Sequence, residues 1–164
     1  MLNSGMATGE LEQRFHRLEQ SWRIAHIHPM SIFDHRPPTA LEMEEMARAS
    51  IAMLPLQFRE ELAEVVVRVE EFATREQLDS VDIASRWNLT GLYEGRPVGE
   101  RSQWQSGDLP AMIYLFRQPL VREWRETGVE MRDLVHHVVV HEAGHHFGFS
   151  DDDMHAIEEE ADLE

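Results

Sequence analysis

The chain has 164 residues, a formal net charge of -16 and no cysteine. That length suits one domain with a sizeable core, and the missing cysteine excludes both a disulfide framework and a thiolate metal site. All 15 basic residues are arginine; the acid excess disfavours phosphate backbones and anionic membrane surfaces, and no apolar leader or spanning segment interrupts the sequence. The expectation is a cytoplasmic chain with a solvated acidic surface and neither nucleic-acid nor membrane partners.

In chain order, Leu11, Phe15, Leu18 and Trp22 recur one helical turn apart, which predicts an amphipathic helix over 10–24. The proline-containing stretch His26 to Pro38 reads as a connection. Thr39 with Glu42 has capping-box spacing and opens a helix through Met43, Met46, Ala47, Ser50, Ile51 and Leu54, which Pro55 stops. Glu64 to Phe72 is a strand by its β-branched run, and Thr74 with Gln77 caps a short helix expected over 75–84. Gly91 to Ser102 suits a short strand, a turn and a bend, and Ala111 to Phe116 a second clear strand. A helix over 118–126 stops at Gly128, and Thr127 with Glu130 has the spacing to cap another that runs to Phe147, with Gly148 as its terminator. An acidic helix over 152–162 closes the chain. Several helices and few strands, without regular alternation, indicate an α+β fold.

The segment HEAGHHFGFSD, His141 to Asp151, carries the chemistry. On a helix His141 and His145 project from one face and can share a zinc ion, while Glu142 lies about 100° further round, beside the metal, where a general base belongs. Catalytic zinc usually has three protein ligands, and the turn at Gly148 can return the carboxylate of Asp151 as the third. Capping offers Asp151 another role, since Ser150 with Asp153, or Asp151 itself, suits the start of the last helix. In that event Glu158 to Glu160 are the alternative source of a ligand.

The pattern HExxHxxGxxD, together with GLYEGRPVGERS and MIYLFRQPL, resembles the zincin-like metallopeptidase family of small bacterial proteins, described as minimal metzincin-like domains. The likeness covers roughly residues 40–157. It implies a compact zincin-like α+β domain over 39–164, with a small sheet packed on the active-site helix, preceded by an N-terminal helical extension and connection over 1–38. It further implies zinc held by His141, His145 and Asp151, with Glu142 as base. The ligand pattern ending in aspartate is also similar to that of the snapalysins. One departure stands out: larger metzincins have a methionine turn well after the third ligand, whereas here only Met154 follows Asp151.

His136, His137 and His146 crowd the same helix and are read as packing or supporting residues. His26, His28 and His35 could form another metal site, with scattered loop histidines as the plainer reading. Tyr93, Arg96, Arg101 and Tyr114 are candidates for stabilising an oxyanion, with core or surface roles as their alternatives. The strand 111–116 is read either as the edge that receives an extended peptide or as a buried central strand. The expected function is zinc-dependent hydrolysis of peptide bonds in a peptide or unfolded protein. The alternatives are a zinc-stabilised regulatory or interaction module with little turnover, and hydrolysis of a non-peptide amide.

Overall fold

The computed structural model describes residues 36–100 and 109–154. The expected helix over 10–24, His26, His28, His35 and Arg101, the residues beyond 154 and most of the 1–38 extension lie outside that range. Thr39 and Glu42 form the full capping box that opens α1 (Ala40–Met53), and Arg36 pairs with Glu42. Pro55 stops that helix and starts α2 (Leu56–Glu61). Strand β1 (Val66–Glu70) is shorter than the hydrophobic run around it, because Leu62–Glu64 closes into a 3₁₀ turn. Thr74 and Gln77 cap α3 (Arg75–Ser80), which ends four residues before the expected boundary. Next come β2 (Gly91–Glu94), β3 (Met112–Phe116), α4 (Arg117–Thr127) and α5 (Met131–His146).

The sheet has the order β1-β3-β2, with β1 parallel and β2 antiparallel to β3. Strand 112–116 is therefore central, and β2 is an edge. On one face Val67, Val69, Ile113 and Leu115 join the main core beneath α1 and α5. On the other face Leu92 and Phe116 meet Leu78 of α3 in a smaller cluster. β2 divides its side chains accordingly: Gly91 and Tyr93 turn toward α5, Leu92 away from it.

The capping box expected between Thr127 and Glu130 does not form. Thr127 is the last residue of α4, where its hydroxyl donates to the Glu123 carbonyl and accepts from Val129 N–H, and Gly128 ends that helix at φ 73°. A residue still in helical conformation cannot take the extended geometry of an N-cap. Helix α5 starts at Met131, with Glu130 at the N-cap position making no side-chain cap bond, and draws its stability from its buried length, Leu134 to Ala143. Its C-terminus is better defined. Phe149 N–H bonds the Gly144 carbonyl and Gly148 N–H the His145 carbonyl, with Gly148 at φ 92°, so a Schellman turn reverses the chain.

Candidate metal centre and active site

His141 and His145 sit one turn apart near the end of α5, each half-buried, with ring centroids 5.1 Å apart. The Schellman turn then acts twice. It brings the Phe149 carbonyl to 2.9 Å from His145 Nδ1, and it leads the chain back so that Asp151 faces the same two rings. Ser150 and Asp153 form the capping box of the helical turn 151–154, with Ser150 Oγ accepting from Asp153 N–H and the Asp153 carboxylate accepting from Ser150 N–H. Hydrogen bonds from the Ser150 hydroxyl first, then from its N–H, hold the Asp153 carboxyl below its ordinary pKa. Capping thus falls to Ser150 and Asp153, and the Asp151 carboxylate is turned to the histidines instead.

Asp151 Oδ1 lies 3.4 Å from His141 Nε2 and 3.1 Å from His145 Nε2, and ligand atoms of all three residues lie within 4.8 Å of one another. A carbonyl carries no proton, so in neutral His145 it is Nδ1–H that donates to Phe149, and Nε2 presents a lone pair to the carboxylate. Two acceptors facing each other at that distance need a cation or a shared proton between them. Donors bound tetrahedrally at zinc–ligand distances near 2.0 Å lie about 3.3 Å apart, so the spacing suits zinc. Two imidazoles and a carboxylate also suit cobalt, nickel or iron.

Glu142 is 7% exposed. Its carboxyl is pushed up from 4.5 to about 8, first by burial, against the pull of the Tyr93 backbone N–H that it accepts from, with the charge of Asp151 adding to the rise. A divalent cation among the three donors would act in the opposite sense and favour the carboxylate. Gly91 makes this packing feasible. A Cβ there would stand 2.3 Å from Val138 Cγ1 and 3.1 Å from Glu142 Oε1. β2 therefore approaches α5 at a distance open only to glycine, and it holds the Glu142 carboxylate with its own backbone.

His146 is fully buried between Tyr93 O–H, 3.0 Å from its Nδ1, and the Glu61 carbonyl, 3.3 Å from its Nε2. It ties the end of α5 to β2 and α2. His136 is buried, and His137 lies on the cavity wall with its ring centroid 6.5 Å from that of His141. Tyr93 also lines the cavity, its hydroxyl near His146 and the Arg96 carbonyl. Arg96 itself is exposed and Tyr114 lies on the other face of the sheet, with its hydroxyl donating to the Met112 sulfur. Met154 is fully buried in the main core. The contribution of Gly91 and that of the Phe149 carbonyl escape sequence reading, because both act through backbone.

The cavity lined by His137, His141, Glu142, His145 and Asp151 has a volume of about 880 Å³. Leu89 to Tyr93 form its floor along the edge of the sheet. Among the described residues no helix is long and apolar enough to cross a membrane. No curated protein matches the sequence significantly. A family model described as zincin-like metallopeptidase matches residues 62–161, a span containing the sheet, α5 and all of the candidate ligands, and the chain belongs to that family.

Proposed function

We propose that the chain is a zinc-dependent peptidase in which His141, His145 and Asp151 hold the metal and Glu142 is the general base. The observation that carries this reading is the convergence of two imidazole nitrogens and a carboxylate oxygen beside a buried glutamate. Bound there, zinc supplies Lewis acidity, which makes water a nucleophile near neutral pH. Glu142 takes the proton from the attacking water on its carboxylate and returns it to the leaving nitrogen. The Tyr93 backbone N–H and the close approach at Gly91 keep that carboxylate in one place through both transfers.

The outer edge of β2 supports a peptide substrate. Among the described residues β2 pairs only with β3, and Leu89 to Tyr93 border the cavity that contains the candidate ligands. An extended peptide can continue the sheet there through backbone hydrogen bonds. The test is cleavage of an unstructured protein by the zinc-loaded chain, inhibited by chelator and lost in Glu142→Gln with zinc content unchanged. Failure of the zinc-loaded wild type to cleave any member of a broad peptide library would overturn the reading in favour of a zinc-stabilised module.

A further inference from the structure

The cavity has a second wall that the proposed chemistry leaves unused. Beyond α3 the chain turns with Ile83 N–H on the Leu78 carbonyl at 3.0 Å and Asp82 N–H on the Asp79 carbonyl at 3.4 Å. Asp82, at φ 54°, is the one non-glycine residue with positive φ among the described residues. This is the same bonding pattern that closes α5, with aspartate in the place that glycine takes there. Left-handed backbone costs a non-glycine residue about 1 kcal/mol or more, and such outliers gather where a fold fixes a functional surface. The turn brings Val81 and Ile83 to the cavity wall.

These two side chains make an apolar surface in the same cavity as Glu142. Val81 is 38% exposed, and Ile83 is half-buried against the cluster that includes Leu78, Leu89 and Leu92. No arginine is among the described residues lining the cavity, whereas Glu142 and Asp151 are, so an acidic group on the Val81 and Ile83 wall would find no arginine to pair with. Side chains of a strand alternate between the faces of its sheet. A peptide paired with the edge of β2 would direct one set toward α5, as Gly91 and Tyr93 are directed. The intervening set would fall on the side of Leu92, over Val81 and Ile83.

Resting on the peptidase reading, we propose that Val81 and Ile83 form a specificity subsite for a large apolar side chain of an extended peptide paired with β2. The test uses the zinc-loaded full chain and two blocked alanine-rich hexapeptides, identical except for leucine or aspartate at one position, scanned along the peptide. At one position kcat/KM for leucine exceeds that for aspartate, and Val81→Asp or Val81→Arg lowers that ratio about tenfold or more. Methyl NMR of zinc-loaded Glu142→Gln provides the second readout, with Val81 and Ile83 shifting for the leucine peptide and not for its aspartate counterpart. Cleavage with the same preference in wild type and both Val81 variants overturns the subsite, as does cleavage without methyl shifts. Leucine-specific shifts without cleavage by the wild type overturn the peptidase reading and keep the subsite, and absence of both overturns both.

Discussion

Two helix-ending turns face the same cavity, and they differ in the residue that makes them. After α5 the left-handed position is Gly148; after α3 it is Asp82. The glycine turn sets the candidate metal ligands, delivering the Phe149 carbonyl to His145 and Asp151 to both rings. The aspartate turn sets an apolar wall and carries backbone strain that glycine would relieve. The difference teaches that one local geometry can serve two ends, and that only the glycine version announces itself in a sequence.

The largest expected effect removes chemistry from the α5 wall alone. Glu142→Gln lowers kcat by about 10²- to 10⁴-fold with zinc binding retained, measured by peptide turnover and metal analysis. In the metal-free protein the sign for stability is opposite. A carboxyl whose folded pKa is raised from 4.5 to about 8 is fully compatible with folding below 4.5 and loses stability as pH rises through that window. At pH 7 the ionisation penalty is ~3 kcal/mol, so metal-free Glu142→Gln melts above metal-free wild type, and the gap closes toward pH 4.5. Equal melting temperatures at both pH values would show that Glu142 is not desolvated.

The turns themselves come next. Gly148→Ala forces a Cβ into left-handed backbone, costs about 1–2 kcal/mol in denaturant titration and weakens zinc binding, because His145 and Asp151 both hang on that turn. Asp82→Gly does the reverse and stabilises by up to about 1 kcal/mol without changing zinc affinity. A loss of stability in that variant would mean the aspartate side chain, not the backbone path, holds the turn. Gly91→Ala separates positioning of the base from metal binding. The collision with Val138 costs about 1–3 kcal/mol, and kcat falls while zinc affinity stays at the wild-type value.

The smallest effect is remote from both turns. Arg36 first, then Thr39, hold the Glu42 carboxyl down from 4.5 to about 2. Its contribution is therefore present above pH 4.5 and lost as pH falls toward 2. Glu42→Gln should lower the melting temperature slightly at neutral pH, only slightly because the pair is exposed, and leave it unchanged near pH 2, so the pH dependence between 4.5 and 2 flattens. A wild-type profile in the variant would discount the cap as a source of acid sensitivity.

What the sequence reveals follows from range. His141, Glu142 and His145 are legible because helical periodicity alone sets their relative directions, and Gly148 because the left-handed terminator is usually glycine. At Asp151 the capping role is taken instead by Ser150 and Asp153, through hydrogen bonds between residues three apart that the spacing only offers as one option. The central place of β3 is another matter: its parallel partner β1 lies more than forty residues earlier, and the register Val67↔Ile113 depends on the tertiary core. The early end of α3 was hidden because aspartate is seldom the residue that leaves a helix left-handed. Thr127 misled because capping-box spacing says nothing about a helix that has not yet ended.

Strand β2 has one more consequence. Its backbone bonds Glu142, the proposed base, and its other edge is the proposed seat of the substrate, so peptide binding and base alignment would share a single segment. Thermodynamic linkage makes such sharing reciprocal: if a bound peptide sharpens the position of Glu142, a correctly placed Glu142 must tighten the peptide by the same factor. Variants along β2 are then expected to trade affinity against turnover in a correlated way, a pattern that independent binding and catalytic elements would not produce.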